Sequence, residues 1–257
     1  MAKWTPFPHA GDYSFDATSV KKHWARLHSG DAEPCPKDAA VLQAWALFHS
    51  GDFEKATAAG LAAGGPGITV ANKATAIYAN YLEQKEKTRL DLFTQVAERA
   101  EAQAGDDPTN PNAWYWHAYA LGRYSQGISV AKALAQGLGG KVKESLEKSI
   151  ALAPKHADAR IALGAFHAEV IDKVGSLIGG MTYGAKKDTG LKLFQEALKL
   201  NPGSAIAMVE YANALVMLEG DKKMKEATQL YEKAAACESA DAMERLDVEM
   251  ARAELED

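Results

Sequence analysis

The chain has 257 residues, with 29 Lys and Arg against 34 Asp and Glu, a formal charge of −5 and 47% hydrophobic content. That balance excludes disordered, collagen-like and disulfide-scaffold classes, and its mild acidity without a Lys/Arg cluster argues against a nucleic-acid partner. Forty-nine alanines, with Val and Ile sparse beside Ala and Leu, favour helix over sheet.

In chain order, Met1 to His9 reads MAKWTPFPH, one basic residue followed by prolines, without the apolar core of a secretory signal. No uncharged apolar run reaches about 18 residues, so no membrane span is expected and a cytoplasmic location is. An export signal removed earlier stays an open alternative. Residues 1–37 read as an extension with a leading helix at 17–29, and residues 38–257 as one repeat domain. Helices are expected at 38–50, 52–64, 68–84, 86–104, 110–125, 128–138, 140–153, 156–175, 187–200, 203–219 and 222–237. A charged last helix at 239–254 reads as a polar cap. Cys35 and Cys237 read as two free thiols.

Internal repeats organise this map. Leu146 to Gly164 reads LEKSIALAPKHADARIALG and Phe194 to Ala212 reads FQEALKLNPGSAIAMVEYA, so aligning Pro154 with Pro202 superposes Gly164 on Ala212. A third copy, TNPNAWYWHAYALG at 109–122, opens its helix with Pro111. Proline ends the preceding helix or opens the next, and the small residue lets two helices approach closely. Ala44 to Ala56 (AWALFHSGDFEKA) shows the turn between helices, with Gly51 suited to a C′ position and Asp52 to capping the return helix. Trp24 to Glu33 (WARLHSGDAE) echoes Trp45 to Glu54 (WALFHSGDFE) 21 residues upstream, then meets Pro34-Cys35-Pro36. Its second helix is aborted, and 17–29 reads as a lone leading helix.

These residues resemble the tetratricopeptide repeat over about 38–238, in five degenerate units. The resemblance implies an all-α, right-handed α-α superhelix with a leading helix, a C-terminal cap and two insertions. The insertions, 127–140 and 171–184, lengthen two successive units, and each carries an apolar stripe ending in a Gly-Gly pair. They are expected to pack on each other through Ile128, Leu134, Leu138, Val174, Leu177 and Ile178. Lengthened pairs of this kind resemble the regulator-of-microtubule-dynamics family and, more loosely, the T-component proteins of TRAP transporters. Both imply a helical-repeat adaptor or ligand-binding scaffold.

Catalytic signatures are missing. The stretch Gly137-Leu-Gly-Gly-Lys141 has Ala135 where a phosphate loop needs its first glycine, and no hydroxyl follows the lysine. The seven histidines do not fall at metal spacing, and His117 and His167 read as satisfied core or groove histidines. No enzyme activity, cofactor or metal is therefore expected. The leading function is a non-catalytic scaffold that binds a protein or peptide in its concave groove. The rival is a small-molecule receptor or enzyme whose pocket the insertions close, and self-association through the apolar insertions is a third option.

The groove lining is expected to include Asn80, Trp116, Tyr119, Arg123 and Asn213. Asn80 and Asn213 share the pattern Y-A-N-x-L on the first helices of two units, although asparagine is a mediocre helix-interior residue. An amide offers both donor and acceptor. Trp116, Tyr119 and Arg123 of the third unit add stacking area and a cation. The alternative is that the asparagines tie adjacent helices together and the aromatics belong to the core.

Overall fold

The computed structural model describes residues 3–256, and among them all regular structure is helical. The helices fall in two compact units, each drawn from non-contiguous chain. The first takes the chain up to His28, Glu33–Leu152 and Ala240–Met243. The second takes Ser29–Ala32, Ala153–Ser239 and the chain from Glu244 onward.

In the first unit, α1 (Ala17–Leu27) packs on α2 (Ala39–His49), and α2 pairs with α3 (Phe53–Ala63). The next pairs are α4 (Gly67–Tyr81) with α5 (Glu86–Asp106), and α6 (Pro111–Gln126) with α8 (Leu138–Leu152). The short helix α7 (Val130–Ala135) precedes α8. Local chemistry sets the boundaries. Asp38 caps α2 by accepting from the Ala40 N–H at 2.7 Å, and Asn110 caps α6 from the Asn112 N–H at 2.9 Å, with Pro111 at the first helical position. Gly51 follows α2 at φ +88°, a conformation that glycine adopts without steric cost. Asp52 holds the N-cap place of α3 but makes no cap hydrogen bond, contrary to expectation. Its carboxylate instead accepts from the Lys55 ammonium at 3.2 Å.

The second unit pairs α9 (Ala157–Val174) with α11 (Lys187–Leu200), and α12 (Ala205–Glu219) with α13 (Met224–Ala235). A 3₁₀ turn at Gly220–Lys223 leads into α13, which begins two residues later than the sequence suggests. Pro154 and Pro202 lie in the turns before α9 and α12, which are capped by the His156 imidazole and the Ser204 hydroxyl. A Cβ on Gly164 of α9 would meet the Phe194 ring of α11 at 2.8 Å, so the small-residue position does bring these two helices together. The last helix, α14 (Ala242–Ala253), begins at the first unit's short C-terminal segment and continues in the second.

Two expectations about the insertions change. Residues Ser176–Tyr183 form a helix of their own, α10, between the helices expected at 156–175 and 187–200. The apolar stripes are also not buried as expected: Leu138 is, but Leu134, Ile178 and Leu177 stay 48%, 58% and 75% exposed.

Candidate interaction surface

Trp116, Tyr119 and Arg123 lie three and four residues apart on α6, a spacing that stacks side chains on one helix face. The Trp116 and Tyr119 rings are 5.2 Å apart, edge to face, and the Arg123 guanidinium lies 5.4 Å from the Tyr119 ring centre. Arg123 also donates to the Gln126 side-chain oxygen at 3.3 Å. Trp116 is buried and its indole N–H has no acceptor, whereas Tyr119 and Arg123 are half-buried. The cluster is thus a buried indole floor under a ring and a cation that both reach solvent.

Asn80 is half-buried near the end of α4, and its side chain makes no hydrogen bond within the described residues. Two residues earlier, Tyr78 stacks on Trp4 of the N-terminal arm at 4.0 Å and accepts from the Thr5 N–H at 3.2 Å. Burial, the largest influence, raises the Tyr78 pKa above the ordinary tyrosine value, and the nearby Glu83 carboxylate pushes the same way.

In the second unit Asn213 of α12 is half-buried, and its side-chain oxygen accepts from the Tyr231 hydroxyl of α13. This bond ties two helices, as the structural alternative for the asparagines foresees, and leaves the amide NH₂ of Asn213 as the group it can offer. Burial first, then the Glu254 and Glu210 carboxylates, raise the Tyr231 pKa. Asn213 borders a shallow depression with Ala165, Ala168, Glu169, Glu210, Ala214 and Met217. Its alanine floor follows from the small residues that α9 and α12 carry at their crossing.

The histidines behave as buried structural groups. His117 is bonded to the Ser145 hydroxyl at 2.9 Å, and His167 accepts from the Lys186 N–H at 3.2 Å. Burial is the largest influence on His117 and lowers its pKa. Lys141 lowers it too, while Glu101 and Glu144 oppose them.

Sequence reasoning missed a second polar cluster. His49 Nδ1 lies 2.6 Å from the Asp241 carboxylate, and His49 Nε2 lies 3.3 Å from His28 Nε2, with all three side chains buried. Trp24 stacks on His28 at 4.0 Å, and Trp45 meets Trp24 edge to face at 5.9 Å. The echoed W-x-x-x-H segments therefore pack against each other, and the echo was the available signal. No group of three or more His, Cys, Asp or Glu among the described residues could hold a metal ion. No helix among them is long and apolar enough to cross a membrane.

A model of the family described as regulator of microtubule dynamics protein 1–3 matches residues 68–256. No curated protein matches the chain by sequence. Among solved structures, a thermophilic TPR protein of Thermus thermophilus matches at 14% identity with a TM-score of 0.58. That match covers 83% of this chain and 97% of the other. YrrB, a TPR protein with an unusual peptide-binding site, matches at 15% identity and a TM-score of 0.38, covering 91% and 98%. A human IFIT1 dimer with PPP-AAAA matches at 14% identity and a TM-score of 0.44, covering 87% and 56%. The Thermus structure, by its fold, identifies the helix pairs as TPR-like.

Proposed function

The chain belongs to the regulator-of-microtubule-dynamics family, and on that premise we propose that it is a non-catalytic scaffold that binds a protein or peptide along the first helices of its pairs. The observation that carries this reading is the α6 cluster. Tyr119 and Arg123 present an aromatic face and a cation over the buried Trp116, a combination enriched where proteins meet partners. Asn80 on α4 supplies an uncommitted amide in the same unit, and α4 packs against α6. In the second unit, the Asn213 NH₂ would donate to a backbone carbonyl of a bound segment, and the neighbouring Glu169 and Glu210 carboxylates would suit basic side chains. The depression there is shallow, which favours an extended segment over an enclosed small molecule. The reading includes a reducing cytoplasmic setting, which the free thiols of Cys35 and Cys237 suit.

Affinity capture from the native cell, followed by protein and metabolite mass spectrometry, tests this reading. The wild-type chain should retain a protein partner that Tyr119→Ala/Arg123→Ala binds at least tenfold more weakly, with unchanged helicity. Equal capture by both, or a stoichiometric metabolite in place of a protein, would overturn it.

A further inference from the structure

Arg99 carries a charge that no other described residue balances. It stands on α5, and its Nη2 donates to the Thr75 Oγ1 of α4 at 2.9 Å. Thr75 is buried, and its own hydroxyl donates to the Ala71 carbonyl at 2.7 Å, so its oxygen can only accept from Arg99. Thr57 Oγ1 of α3 lies 3.3 Å from Thr75 Oγ1, and with the Thr75 proton committed, Thr57 is the donor. The two threonines therefore aim the guanidinium without neutralising it. The Nε hydrogen of Arg99 is buried without an acceptor.

No ion pair reaches Arg99 among the described residues, and burial, the sole influence on its pKa, moves that value downward. Of the neighbouring polar groups of the α4–α5 seam, the Gln103 amide is committed elsewhere, and the Asn72 Oδ1 is buried without a partner. Gln103 donates to Thr69 Oγ1 at 2.9 Å and accepts from the Asn72 amide at 3.4 Å. Arg99 is half-buried, and a cation partly withdrawn from water without a counterion is unfavourable, while a guanidinium fork matches carboxylate and phosphate oxygens better than any other side chain.

We propose that Arg99, aimed by Thr75 and backed by Thr57, forms a binding site for an oxyanion, a phosphate or carboxylate group, where α3, α4 and α5 meet. This site is separate from the surface proposed above. Thr75 and Asn80 are five residues apart on α4, which at about 100° per residue sets them roughly 140° apart around the helix.

Thermal unfolding of the full chain in sodium phosphate, sodium acetate and sodium chloride at matched ionic strength tests the proposal. In the wild type, the midpoint should rise saturably in at least one oxyanion series beyond the chloride series. A rise in phosphate alone identifies a phosphate group, and an equal rise in acetate identifies a carboxylate. In Arg99→Gln the excess should vanish, with apparent affinity at least tenfold weaker, and Thr75→Val should fall between the two. No excess in the wild type, or the same excess in Arg99→Gln, would overturn the site. Wild-type behaviour in Thr75→Val would remove the aiming role. Should Arg99→Gln not fold, the Arg99 Nε–H resonance of the wild type provides the second readout. It should shift on addition of inorganic phosphate, and a stationary resonance would overturn the site.

Discussion

At Gly164 the absence of one carbon lets the Phe194 ring lie against the α9 backbone. A Gly164→Leu substitution forces that ring and both helices apart, and should cost about 1–3 kcal/mol or more, read from the urea unfolding midpoint. Asp241→Ala strands the buried His49 Nδ1 and removes a hydrogen bond to a charged group, a loss of about 1.5–3 kcal/mol by the same measurement. His117 supplies a pH dependence. Its pKa is lowered in the folded chain, so the unfolded chain takes the proton more readily. Its contribution is complete above the ordinary histidine value of about 6.5 and is lost as pH falls below it. The slope of unfolding free energy between pH 7 and 5.5 should therefore be shallower in His117→Gln. The Gly164 position was legible because its repeat partner, Ala212, stands at the same offset from a proline. The His28–His49–Asp241 cluster was not, because its acid lies 192 residues from its base and no local spacing announces such a pair.

At the level of elements, the five helix pairs follow from periodic apolar positions and from the proline and glycine turns, which act locally and can be read locally. The helix of the second insertion, α10, escapes that reading, whereas α7 of the first falls within the helix expected at 128–138. The sequence of α10 is SLIGGMTY, in which two central glycines weaken helix propensity and the apolar residues do not mark a buried face. Exposure decides how mutations act there. Leu177→Asp at 75% exposure should change stability by no more than about 0.5 kcal/mol, whereas Leu138→Asp at 5% should be severely destabilising in the same denaturation series. Candidate surface residues were legible only as types and spacing. Periodicity put Trp116, Tyr119 and Arg123 on one face, but it could not tell that α6 buries the indole and leaves the other two half-exposed.

Across the whole molecule, a stack of repeats in chain order would build each unit from one stretch of sequence. Here Ser29–Ala32 serves the second unit, and Ala240–Met243 serves the first. The Gly30 carbonyl accepts from the Ala157 and Asp158 N–H groups at 2.8 and 3.0 Å, and this is one of the bonds that carries the early segment into the later unit. The resemblance read from residues 110–220 widens to 68–256 in the family match. The return of Asp241 to His49 also sets an order of events during synthesis. A ribosome adding about 5–20 residues per second takes roughly 10–40 s to travel from one to the other. Throughout that interval the nascent helices hold a histidine whose acid has not yet been made, so the first unit finishes folding only after Asp241 has emerged.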